Sequence, residues 1–229
     1  MGQLLSTQAI EHKDPLFVSL GMTVLDELHF SSRAALSDVP GGSGLYATLG
    51  ARLMDSTAGA IIIAGNDFPN ALMKRIMQWD MMLLVKKLPD SPCTRGFVQY
   101  KDEESCQRIF RYLTAQLQPR PADLEKSELL GSQSFHLLAG PALLQEMVTS
   151  LLSLRRDSGK NERPLLAWEP APASCKKELL DEHIQACRAP ESIGHRLSTS
   201  PHHPASQIPL AQGIPSSGGL LWGGCEQEM

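Results

Sequence analysis

This sequence predicts an α/β fold with a mainly parallel sheet, and three observations carry that reading. Short apolar runs rich in β-branched residues, such as Ala60-Ile61-Ile62-Ile63-Ala64, alternate along the chain with helical periodicities. Glycine, proline, asparagine and aspartate gather between them as turns. The 229 residues, 42% hydrophobic and 20% charged, have the composition of a globular chain long enough to bury a core.

In order, residues 1–14 are polar and aperiodic, a mobile lead-in. Phe17 to Leu20 forms a first buried strand, with Val24 to Phe30 as its extended continuation. Leu45, Leu49 and Leu53, with Ala47, Ala51 and Met54 beside them, mark one face of a helix. Ala60 to Ala64 is a central strand. Pro69 opens a helix that buries Leu72, Met73, Ile76 and Met77, and Met82 to Val85 is the next strand. Thr94 to Tyr100 and Arg108 to Tyr112 are shorter and more polar, joined by Asp102-Glu103-Glu104, which predicts a hairpin outside the main sheet.

Phe135 to Ala139 restores a buried strand, ended by Gly140-Pro141. Leu143, Leu144, Met147, Val148, Leu151 and Leu152 give a helix face, Leu165 to Trp168 a strand, and Leu179, Leu180, His183, Ile184 and Cys187 a last helix. Repeated βα units imply a mainly parallel sheet with helices on both faces, here over residues 15–189. Residues 190–229 accumulate Pro, Ser, His and Gly and lack either period apart from Leu220-Leu221-Trp222, which predicts a disordered tail.

A net charge of −4 and a pI near 6.0 argue against a nucleic-acid surface. The five cysteines form no CxxC pair and follow no signal peptide, so reduced thiols and a cytoplasmic location are expected. His195, His202, His203 and Cys225 are too irregularly spaced for zinc, and no metal site is assigned. No apolar run reaches the ~18–20 residues that span a bilayer, so no membrane partner is expected. Met1 to Ser6 matches a loose acylation pattern too short to outweigh a free N-terminus.

The most informative stretch is "DVPGGSGLYATLGARL", residues 38 to 53. Gly42, Gly44 and Ala47 have dinucleotide-loop spacing, but Pro40 interrupts the approach and Asp67 is misplaced for a ribose acceptor. No Gly-Lys-Ser/Thr follows, which excludes a Walker A loop. Two readings remain for the turn: a plain helix start, or a loop whose glycines bring backbone amides close to a ligand. Asp26 likewise fits either a solvated strand end or an acceptor of ligand hydroxyls.

Order along the chain adds weight to the second reading. "FVSLGMTVLDELHF", "GGSGLYATLGARL", "AIIIAGNDFP", "FHLLAGP" and "LLAWEPAPASCKKELLDEHIQA" succeed one another. This series resembles the ribokinase/PfkB carbohydrate-kinase family, in particular its divergent fungal members, over residues 15 to 189. The resemblance implies a partial ribokinase-like Rossmann-type sandwich with a small β lid at about residues 94–112. It implies a sugar or nucleoside-like ligand held by Asp26, Gly41, Gly42 and Gly44. In the family the lid covers substrate and in some members forms a dimer contact, so pairing through the lid is expected. Many relatives have Asn where Tyr46 stands, which leaves the ligand class open. Asp67 fits turn-shaping better than binding.

ATP and magnesium are the family's cofactors. Its catalytic Gly-Ala-Gly-Asp-like segment, with the Asp as base, and its Asn-x-x-Glu-like segment are missing from the sequence, where "PESIGHRLSTSPHHPASQ" and "GIPSSGGLLWGGCEQEM" stand instead. No catalytic residue is therefore assigned. The chain is expected to bind the nucleotide poorly and to be inactive alone, a truncated carbohydrate kinase. A non-catalytic binding or interaction protein is the alternative, and an NAD-dependent oxidoreductase a weaker one.

Overall fold

The computed structural model describes residues 14–54, 57–101 and 108–192. Expectations for residues 1–13, for the Asp102-Glu103-Glu104 loop and for 193–229 fall outside them. The chain divides into two units, residues 1–186 and 187–229. The first holds both sheets; of the second, the described residues are the end of the last helix.

Five strands make the main sheet: β1 (Phe17–Ser19), β4 (Ala58–Gly65), β5 (Met82–Leu88), β8 (Ser134–Ala139) and β9 (Leu165–Pro170). Their order is β5-β4-β1-β8-β9 and every pairing is parallel. Four more form a smaller mixed sheet: β2 (Val24–His29), β3 (Leu36–Gly41), β6 (Arg95–Tyr100) and β7 (Arg108–Tyr112), in the order β3-β2-β6-β7. The helices are α1 (Ser43–Leu53), α2 (Asn70–Met77), α3 (Pro141–Asp157) and α4 (Leu180–Ser192). None among the described residues is long and apolar enough to cross a membrane.

Alternation along β4 divides the core. Ile61 and Ile63 pack with Phe135, Leu137, Leu144 and Met147 on the α3 side. Ile62 and Ala64 pack with Leu45, Leu72 and Ile76 on the α1–α2 side. Helices thus cover both faces, as βα repetition requires.

The structure corrects several local expectations. Val24 to Phe30 does not prolong the first strand: the chain turns at Leu20-Gly21 and β2 joins the second sheet. Pro40, which reads as an interruption before the glycines, lies in β3, an exposed to half-buried edge strand where it costs no ladder bond on its open side. In α1 the buried residues are Gly44, Leu45 and Thr48, while Leu53 is 78% exposed and Met54 faces solvent beside it. Leu45 is buried as the periodicity predicts, but the expected face fails at its C-terminal end, and Gly44 and Thr48 make the close contacts beside Leu45. Met77, Leu180, Ile184 and Cys187 are exposed instead of buried.

Candidate functional site

Glycine sets the geometry where β1 ends. Gly42 precedes α1 with φ of 90°, a conformation that side chains disfavour. The Gly44 amide donates to the Met22 carbonyl at 3.0 Å. A Cβ on Gly44 would collide with the Gly21 carbonyl, and one on Gly42 with the Met22 carbonyl. Gly42 and Gly44 therefore let the first turn of α1 cross the Gly21-Met22 turn at backbone contact. Gly41 serves another end, since a Cβ there would strike the Asp26 carboxylate.

Asp26 lies on β2, in register with Val39 of β3 and Gly96 of β6, and Gly96 is in register with Tyr112 of β7. A side chain on Gly96 would meet Asp26 Oδ1 and the Phe110 ring. The carboxylate occupies a slot made by two glycines. Burial pushes the Asp26 carboxyl above its usual range, with Arg108 pulling partly back. Tyr112 is raised too, by burial and then by the charge of Asp26.

Five buried side-chain polar atoms among the described residues have no hydrogen-bond partner: Thr23 Oγ1, Asp26 Oδ1, Ser43 Oγ, Arg155 Nε and His183 Nε2. Ser43 stands against Gly21 at the crossing, Thr23 follows Met22, and Asp26 lies three residues further on in β2, between Gly41 and Gly96. Buried polar atoms are ordinarily paired, so these three are the atoms near the turn that still lack a partner. The structure thus brings Asp26 and Gly41 into contact and sets Gly42 and Gly44 against Gly21 and Met22. Thr23, Ser43, Gly96, Arg108 and Tyr112 were not singled out from the sequence. Gly96 alone gave a signal, as a glycine inside a strand pattern.

Tyr46 is exposed, and its hydroxyl donates to the Pro40 carbonyl at 3.1 Å, tying α1 to the end of β3. Asp67 accepts the Cys93 amide at 2.7 Å and Arg95 Nε at 2.8 Å, and Arg95 also reaches Asp38 at 3.0 Å. Burial pushes Asp67 upward, but the hydrogen bonds from the Cys93 amide and thiol and from Arg95, with the charge of Arg95, outweigh it and hold the carboxyl at about 2. Burial and Asp67 push the Cys93 thiol up to about 11, which makes it unreactive.

Among the described residues no three His, Cys, Asp or Glu side chains are grouped to hold a metal ion. The Gly44 amide at the start of α1 is spent on Met22, leaving the turn no phosphate cradle like that of a free helix N-terminus.

No family model matches the chain. It is 29% identical over 183 residues to an uncharacterized protein of Schizosaccharomyces pombe, covering 76% of this chain and 49% of that one. It is 27% identical over 171 residues to the protein MAK32 of Saccharomyces cerevisiae, covering 70% and 46%. The chain spans about half the length of these curated relatives. Among solved structures, a PfkB protein from Polaromonas superposes with a TM-score of 0.55 at 13% identity, over 76% of this chain and 63% of that one. A putative ribokinase II from E. coli gives 0.52 at 17%, over 83% and 66%. A fructokinase from Xylella fastidiosa, solved with bound ATP, gives 0.54 at 11%, over 76% and 59%. The chain has the ribokinase/PfkB carbohydrate-kinase fold and is homologous to MAK32 and to the uncharacterized Schizosaccharomyces pombe protein over about half their length.

Proposed function

We propose that this chain binds a small polyhydroxylated molecule, a sugar or nucleoside, at the crossing of the Gly21 turn and α1. Asp26 accepts ligand hydroxyls, Ser43 and Thr23 complete the contacts, and β6–β7 covers the ligand as a lid. The observation that carries this reading is the trio of buried, unpartnered oxygens on Thr23, Asp26 and Ser43. The fold supports a carbohydrate-kinase origin. Because the family's late glycine-rich and aspartate-bearing segment does not occur in the sequence, the chain by itself binds without transferring phosphate. That also favours the second reading, a non-catalytic binding protein on the same half-fold. The free thiols of Cys93, Cys175 and Cys187 suit a reducing, cytoplasmic setting.

The test is calorimetric binding of D-ribose, D-fructose and adenosine, with a coupled ADP-release assay alongside. At least one ligand should bind, Asp26→Ala should weaken it by about 1–3 kcal/mol, Ser43→Ala should weaken it less, and ADP release should stay at background. Gly42→Val is a poor probe, since its backbone strain would disturb the fold itself. Unchanged affinity in both variants would remove Asp26 and the turn from the site. Ligand-dependent turnover near an ordinary ~10 s⁻¹ would overturn the binding-only reading.

A further inference from the structure

We propose that Ser19, His136 and Glu169 form a hydrogen-bonded line that positions the Gly21 turn of the candidate site, with His136 as the positioning residue. The three sit on neighbouring strands β1, β8 and β9, and Ser19 is in direct register with His136. The Gly21 amide donates to Ser19 Oγ at 3.1 Å, Ser19 Oγ lies 2.8 Å from His136 Nδ1, and His136 Nε2 lies 3.0 Å from Glu169 Oε2. The proton order follows. The Glu169 carboxylate can only accept, so a neutral ring carries its proton on Nε2, and Nδ1 then takes the Ser19 proton while Ser19 Oγ accepts from Gly21. One neutral tautomer satisfies every link.

Both ends have consequences. Ser19 is fully buried and His136 only 8% exposed, so a broken link leaves a buried group unpaired. Gly21, at the inner end, is the residue whose carbonyl abuts Gly44, and Met22 beside it accepts the Gly44 amide. Glu169, at the outer end, is half-exposed on β9. Phe17 of β1 stacks on the ring, its centroid 6.4 Å away. Along this line a group at the surface sets the hydrogen bonding of a backbone turn two strands away. Its bearing on ligand binding rests on the reading of the site given above.

The experiment is NMR on the full chain, followed by binding. His136 should show an unprotonated Nδ1 and a protonated Nε2. In Ser19→Ala and Glu169→Ala the Gly21 amide should exchange about tenfold faster, as losing one buried hydrogen bond implies, while the Ile62 amide is unchanged. Glu169→Gln, whose amide oxygen still accepts from Nε2, should restore the slow rate. Adenosine and D-ribose affinities should fall in Glu169→Ala and recover in Glu169→Gln. A ring protonated on Nδ1, or Gly21 exchange indifferent to both alanine variants, overturns the proposal. Ligand binding that is absent, or indifferent to Asp26→Ala, defeats the reading of the site alone, and the tautomer and exchange results still decide whether the line holds the turn.

Discussion

Asp26 is a residue whose local energetics run against stability. Its Oδ1 is buried without a partner, and burial raises the carboxyl above its usual range. A carboxyl held higher in the folded than in the unfolded chain favours folding below the unfolded value of ~3.9, and that benefit is lost as pH rises through the folded value. Asp26→Asn removes the charge and keeps the shape. It should raise the melting temperature at pH 7 by roughly 2–4 °C, lose that advantage below pH ~3.5, and bind ligand worse. Melts of both forms at the two pH values check this, and a less stable Asn form at pH 7 would mean that Oδ1 has a partner after all. Asp26 was singled out through the resemblance, as an aspartate near the end of the first strand; in the fold it lies inside β2. Thr23 and Ser43 were not singled out, since being unpaired is a property of three-dimensional neighbours. Arg155 was equally hidden, as the basic end of a helix. In the fold its guanidinium is buried and donates to the carbonyls of Leu130, Ser132 and Glu162.

Between elements, the bond that matters most to the site joins the two sheets. Asp67, just after β4, grips Arg95 of β6, and Arg95 grips Asp38 of β3. The strut ties β3 and β6 of the small sheet to the end of β4. The expectation that Asp67 shapes a turn saw its side chain but not its reach, because the partners lie 28 and 26 residues away. The hairpin of β6 and β7 was legible from its polarity and spacing. β3 was not, since Pro40 reads as a breaker unless one knows that the strand is at an edge. Asp67 has the opposite sign to Asp26: a carboxyl held at about 2 adds stability above ~pH 4 that is lost as pH falls through about 2. Asp67→Asn should therefore unfold at lower urea than the parent at pH 6, with the gap closing toward pH 2.5. Equal midpoints at pH 6 would dismiss the strut.

At the scale of the molecule, the order of βα units was readable because most apolar runs are followed by a helical period, and the β6–β7 hairpin outside the main sheet was readable too, whereas the place of β2 and β3 in that second sheet was not. Nothing in the residues Leu20 to Val24 announces that the chain leaves one sheet for another. The same architecture leaves β9 at the edge of the main sheet among the described residues. Leu165 on that strand is 66% exposed, and Leu180 and Ile184 of α4 are exposed as well. An unpaired strand edge beside apolar surface is a template for pairing with another chain. The chain should therefore self-associate as its concentration rises through the micromolar range. A charge on an edge strand opposes such pairing, so Leu165→Lys should shift the equilibrium toward monomer. The small sheet offers a rival contact through its edge strand β7, where Ile109 is exposed. Sedimentation of the parent, Leu165→Lys and Ile109→Lys separates the two. Association lost only in the β9 variant assigns it to the open main sheet. Association lost only in the β7 variant assigns it to the small sheet and refutes pairing through β9.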